Sequence, residues 1–207
     1  MVLVSESRGG DRRQFDLAAA FPCALRTAAT TAALVIPAAT LTSPEAFVVA
    51  LDNETVAIPY RIYNAEPATD PTRELSPVER TVLACVYTRH HDGYVRQRYL
   101  AEILAHPRPW TAPFVVQLLG EYVLPIVEQI QRGLAGTETP GTALYTVYGH
   151  FAAANPAFIT LTRQRAASYW DCYHRSRYTL RAYPASKVLD ALQAAAGDAA
   201  RRIPPSP

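Results

Sequence analysis

Residues 76–79 read Ser-Pro-Val-Glu, and this short string constrains the fold more than any other part of the chain. The Ser76 hydroxyl can accept from the amide three residues on, Glu79 can reach back to the Ser76 amide, and Pro77 suits a first helical position. Val78, Val82, Leu83 and Val86 then share one helical face. His90 and His91 fall in the expected last turn, where a protonated imidazole suits the negative end of the helix dipole. Gly93 can take the left-handed conformation that stops a helix. Val95, Tyr99, Leu100, Ile103 and Leu104 mark a second helix, closed by Pro107 and Pro109. So short a connection makes the two helices antiparallel neighbours, a hairpin over residues 76–105.

Helical periodicity continues after the hairpin. Phe114, Val115, Leu118, Leu119, Tyr122, Val123, Ile126, Val127 and Ile130 face inward along a run from Thr111 to Gly133, which Pro125 should kink or split. Further helices are expected over 142–154, 157–176 and 186–200. Before the hairpin the signals are weaker. Ser43-Pro44-Glu45 reads as the start of a short helix ending near Leu51, and Asp52-Asn53-Glu54 as a turn. Residues 55–63 alternate as a strand does, and Pro59 makes it an edge strand. Its partner could be Val2–Val4, Leu34–Ile36 or the same strand of a second copy. The fold class is therefore mostly α: a helical bundle or short helical array of five to seven helices, with one edge strand near residues 55–63. The expected divisions are a flexible N-terminus over 1–14, an appendage over 15–74, a main helical domain over 75–203 and a tail over 204–207.

Charge is distributed unevenly. Residues 45–79 hold seven acids against Arg61 and Arg73, whereas residues 156–203 hold eight bases against Asp171, Asp190 and Asp198. Pairing within the fold is the simpler expectation, and an anionic partner for the basic part is the other. Every cation but Lys187 is arginine in a chain rich in Ala and Pro, a bias that reads as genomic base composition rather than selection for phosphate. Cys23, Cys85 and Cys172 are widely spaced, which suits a reducing cytoplasm. No apolar run reaches the roughly 18 residues that span a bilayer. Arg12-Arg13 before an Ala-rich stretch faintly resembles a twin-arginine signal, but Asp16, Pro22 and Arg26 interrupt it.

Residues 92–104 read Asp-Gly-Tyr-Val-Arg-Gln-Arg-Tyr-Leu-Ala-Glu-Ile-Leu. Asp92, Val95, Arg96, Leu100 and Leu104 resemble the second-helix signature of HEAT-type helical repeats, in which an Asp at the turn and an Arg one turn later brace a helix pair. The resemblance covers these thirteen residues, without a second copy at a repeat period. It implies a scaffold surface for partners rather than chemistry.

Two groups of residues stand out as candidate sites. His90, His91, Asp92 and Arg96 form a polar cluster, but the second ligand pair of a zinc site is missing, and helix-end capping explains them. Arg163, Arg165, Arg175, Arg177 and Arg181 interleave with Tyr169, Trp170, Tyr173 and Tyr178, residue types that contact phosphates and stack on bases. The helical spacing of Tyr169, Trp170 and Tyr173 instead suggests core, and Cys172 beside them reads as a buried thiol. No nucleophile elbow, phosphate loop or dinucleotide fingerprint is present. The leading expectation is a non-enzymatic interaction or regulatory protein that binds a protein partner or itself, without cofactor, metal or membrane. A nucleic-acid or anion binder using Arg163, Arg165, Trp170, Tyr173, Arg175, Arg177 and Arg181 is the second, and an enzyme with an unassembled His/Asp site the third.

Overall fold

The computed structural model describes residues 16–41 and 45–202. The leader, the Arg12-Arg13 pair, the Val2–Val4 segment, Ser43-Pro44 and the tail over 204–207 all lie outside them. Within these residues the fold is mostly α. After helix α1 (Arg26–Leu34), strands β1 (Ala46–Leu51) and β2 (Glu54–Pro59) form the two-stranded antiparallel sheet. The later helices are α2 (Thr69–Arg73), α3 (Pro77–Tyr87), α4 (Gly93–Ala105), α5 (Ala112–Leu119), α6 (Leu124–Gly133), α7 (Ala143–Ala154), α8 (Pro156–Tyr169) and α9 (Pro184–Arg202).

The β-hairpin corrects two sequence expectations. Residues 46–51 are a strand, not a helix, and they supply the partner that β2 needs, with Leu51 opposite Glu54 and Phe47 opposite Ile58. Asp52 and Asn53 both take positive φ, 51° and 63°, as a two-residue hairpin turn requires. Phe47, Val49 and Leu51 point inward while Val48 and Ala50 point outward, so the period is two. That alternation and the turn outweigh the local helix-start motif. The outer edge of β1 is covered by one side chain: Ala50 N–H donates to Asn155 Oδ1 at 2.7 Å, and Asn155 Nδ2 donates to the Ala50 carbonyl at 2.8 Å. Asn155 thus acts as a one-residue neighbouring strand and satisfies an edge that would otherwise be open.

The capping box at Ser76 is formed in both directions, Ser76 N–H to Glu79 Oε2 at 2.7 Å and Glu79 N–H to Ser76 Oγ at 3.3 Å. The end of the helix differs from expectation. α3 stops at Tyr87, so His90 and His91 lie in the connection, and Gly93 is the first residue of α4, without positive φ. Asp92 caps α4 by accepting from the Tyr94 amide at 2.8 Å. The connection is anchored from outside: Ile62 N–H donates to the Arg89 carbonyl (2.9 Å) and His91 N–H to the Ile62 carbonyl (3.1 Å). Strand-like pairing with the segment after β2, rather than a left-handed glycine, ends the helix.

Pro125 divides the long apolar run as expected, into α5 and α6. All eight residues of α5 are buried, which makes it the central helix. Phe21 stacks on Phe114 and Phe47 on Phe158, so the N-terminal elements share the core of the later helices. α7 crosses α9 with little space between them: a Cβ on Gly149 would lie 2.9 Å from the Ala195 Cβ and carbonyl oxygen.

Candidate functional site

The break between α5 and α6 places a carboxylate in an unusual position. Gly120 lets the end of α5 approach α8 closely, since a Cβ there would be 3.3 Å from Arg165 Cβ and 3.4 Å from the Thr162 carbonyl. The next residue, Glu121, is only 4% exposed and faces three arginines. Arg61 lies 2.9 Å from it, Arg96 Nε 3.1 Å and Arg89 3.9 Å. These contacts are ion pairs without hydrogen-bond alignment. Arg96 also donates to the carbonyls of His90 (2.8 Å) and His91 (2.9 Å), which fixes the connection between α3 and α4.

Arg89 is fully buried, and its two terminal nitrogens have no hydrogen-bond partner. Burial, and after it repulsion from Arg61 and Arg96, pulls its pKa down to about 9 against the opposing pull of Glu121. It is still a cation at neutral pH. Burial also lowers the pKa of Arg96. Three guanidinium groups thus share one carboxylate where desolvating each charge costs several kcal/mol.

Above Glu121 opens a cleft of about 290 Å³, with Arg61, Tyr60, Tyr122, Arg165 and Tyr169 in its walls and Glu45 also lining it. Arg165 lies over the Tyr60 ring, 4.9 Å from its centroid, and donates to the Tyr60 hydroxyl at 3.2 Å. Beyond the cleft Tyr122, Tyr169 and Tyr173 gather with centroids 5.9–6.3 Å apart. Tyr122 is 55% and Tyr173 64% exposed. With Arg165 and Tyr60, which line the same cleft as Tyr122 and Tyr169, they make a ladder of rings and guanidinium.

This overturns the assignment of Tyr173 to the core and of Tyr122 to an inward face; Tyr169 and Trp170 are half-buried. Tyr173 falls within a π-helical turn at Trp170–His174, which ends the α-helical phase of α8, and Tyr122 falls in the break between α5 and α6. Cys172 is likewise exposed rather than buried.

The arginines of 163–181 divide among several environments. Arg163 faces α9, pairing with Asp190 (2.7 Å) and Gln193 (3.1 Å). Arg175 pairs with Asp171 at 3.0 Å and lies over Trp170, whose Nε1–H donates to the Tyr178 carbonyl. Arg177 pairs with Glu128 at 3.2 Å, and Arg181 is exposed. Only Arg165 and Tyr173 of the seven join the ladder. The ion pairs of Arg163, Arg175 and Arg177 use nearby acids, not those of 45–79.

The polar cluster serves the hairpin connection. His90 is buried, accepts from the Asp92 amide at Nδ1 (3.1 Å) and donates from Nε2 to the Asn64 carbonyl (3.0 Å). This is a neutral imidazole, and burial, reinforced by His91, lowers its pKa. The protonated helix-end role expected from sequence does not apply to it. Among the described residues no three His, Cys, Asp or Glu side chains are grouped to hold a metal ion, and no helix is long and apolar enough to cross a membrane. Glu121, Arg89, Arg61 and Tyr60 escaped the sequence reading. Their one available signal was an acid next to a glycine inside an otherwise apolar run.

No family model, curated protein or solved structure matches this chain.

Proposed function

We propose that this chain is a non-enzymatic interaction protein whose binding face is the ring ladder of Tyr122, Tyr169 and Tyr173, flanked by Arg165. The observation that carries this reading is the clustering of exposed rings. Tyr94 is more exposed still, at 78%, but stands apart on α4, whereas the other three form a contiguous amphipathic patch. Tyr and Arg are the residues that concentrate binding energy at protein interfaces, because they bury large area at small entropic cost. His90 supports the non-enzymatic reading, since backbone groups occupy both of its ring nitrogens.

A nucleic-acid binder would need free cations along the rings. Arg163, Arg175 and Arg177 are instead paired with carboxylates, so the phosphate-tracking charge is largely neutralised within the fold. This favours a protein partner. The bracing of the hairpin by Asp92 and Arg96 fits the scaffold role that the HEAT-type resemblance implies, and the free thiols fit a reducing cytoplasm.

A photo-crosslinking residue placed at 173, with one at 94 as an equally accessible control, tests the proposal in extract from the source cells. The expected result is a discrete protein adduct from position 173 and none from 94. Equal adducts from both positions contradict it, and so does a salt-sensitive mobility shift with single-stranded RNA or DNA that is lost on Tyr173→Ala.

A further inference from the structure

We infer that the cleft over Glu121 is a binding site for a small oxyanion, a phosphate group held by Arg61 and Arg165. The site shares Arg165 with the proposed protein-binding face, but it rests on charge and cavity geometry rather than on the exposed rings.

Among the described residues, Arg61, Arg89 and Arg96 share one buried carboxylate, with Asp92 acting on Arg96 from the start of α4, so the cations outnumber the acids around them. Arg165 in the cleft wall adds a further cation, and the exposed carboxylate of Glu45 offsets one of them. An anion is the species that reduces this excess.

Geometry points the same way. Arg89 approaches the Glu121 carboxylate from the core side, and its terminal nitrogens, fully buried, have no hydrogen-bond partner. A buried cation of this kind is expensive unless it stabilises negative charge nearby. Arg61 is exposed enough to meet solvent, and both it and Arg165 line the same cavity of about 290 Å³, room enough for a phosphate group. Guanidinium groups are well suited to such an ion because their planar fork matches two oxygens at once. The Tyr60 hydroxyl already accepts from Arg165 and keeps its own proton available for an anion oxygen. Glu121 lies against the same space, and its repulsion of an incoming anion is muted by Arg96 and Arg89 behind it.

The group could arrive as the free ion or as an ester on an aromatic carrier stacked on Tyr122 and Tyr169. Calorimetric titration of the full chain with inorganic phosphate and with phenyl phosphate, at constant ionic strength set with chloride, distinguishes the two. Saturable binding of inorganic phosphate is expected, weakened at least tenfold by Arg165→Ala in a variant whose urea midpoint shows that it is folded. Phenyl phosphate binding more tightly than phosphate identifies the ester; equal binding identifies the free ion. Glu121→Gln should tighten binding, and phosphate should raise the melting temperature of that variant more than that of the parent. Absence of binding by the parent chain to either compound at millimolar concentration overturns the inference. Binding that Arg165→Ala leaves unchanged overturns it as well.

Discussion

Removing the Glu121 carboxylate leaves Arg61, Arg89 and Arg96 facing one another in a buried turn. Breaking a buried charge pair from one side costs about 3–5 kcal/mol, so Glu121→Ala should lower the urea-unfolding free energy by that order. Arg89→Met is the informative contrast. It removes a cation whose terminal nitrogens lack hydrogen-bond partners and fills the space with apolar atoms. It should cost far less than Glu121→Ala, or stabilise, when both are measured by urea denaturation. His90 makes a second residue-scale prediction. Its folded pKa lies below the usual 6.5, so the unfolded chain takes up a proton first as pH falls. Stability is therefore present above about pH 6.5 and declines below it. Urea midpoints at pH 7.5 and 5.5 should differ for the parent chain, and less for His90→Gln. None of these pairings could be read from sequence, because Arg61, Arg89 and Glu121 sit on three separate segments and meet only after the helices pack.

The helical hairpin shows how far local sequence reaches at the scale of elements. Ser76, Pro77 and Glu79 act within four residues of one another, so the start of α3 was legible and its capping box is formed. Its end was not, because the stop comes from Ile62, a strand-like partner brought in from before the helix. The N-terminal hairpin repeats the lesson: Ser43-Pro44-Glu45 signals a helix locally, while Phe47, Val49 and Leu51 pair with a strand beyond the turn. Two glycines separate the roles that sequence alone merges. At Gly93 an added Cβ would meet nothing closer than 3.6 Å and the backbone is helical, so Gly93→Ala should be neutral or stabilise by up to about 1 kcal/mol. At Gly149 the same change meets Ala195 backbone at 2.9 Å, and Gly149→Ala should cost about 1–3 kcal/mol by forcing α7 and α9 apart. Thermal or urea unfolding of the two variants should move in these separate directions.

Across the whole molecule, one core joins the β-hairpin and the helices, and tyrosines are divided between that core and the surface. Burial raises Tyr99 and Tyr183 to about 12, and Tyr87 and Tyr148 higher still. Unfolded tyrosines ionise near pH 10, so stability is fully present below that pH and is lost as pH rises toward the folded values. Arg89 acts in the opposite sense, since its depressed pKa relieves a buried charge above pH 9, but four rings outweigh one guanidinium. Tyrosinate absorbance should therefore include a cooperative stage at unfolding, when Tyr87, Tyr99, Tyr148 and Tyr183 are released into solvent. The mostly α architecture was legible from periodicity, because long amphipathic runs leave few alternatives. The ring ladder was not, because Tyr122 falls in the break between α5 and α6 and Tyr173 in the π-helical turn at Trp170–His174, where α-helical spacing no longer fixes the face a side chain takes.

That ladder is the central functional claim, and the double substitution Tyr122→Ala with Tyr173→Ala probes it most directly. Both side chains are mostly exposed, so they contribute to binding without supporting the core. Affinity for the protein captured at position 173 should fall at least a hundredfold while the melting temperature stays within about two degrees of the parent. Undiminished affinity in a folded double variant would contradict the account.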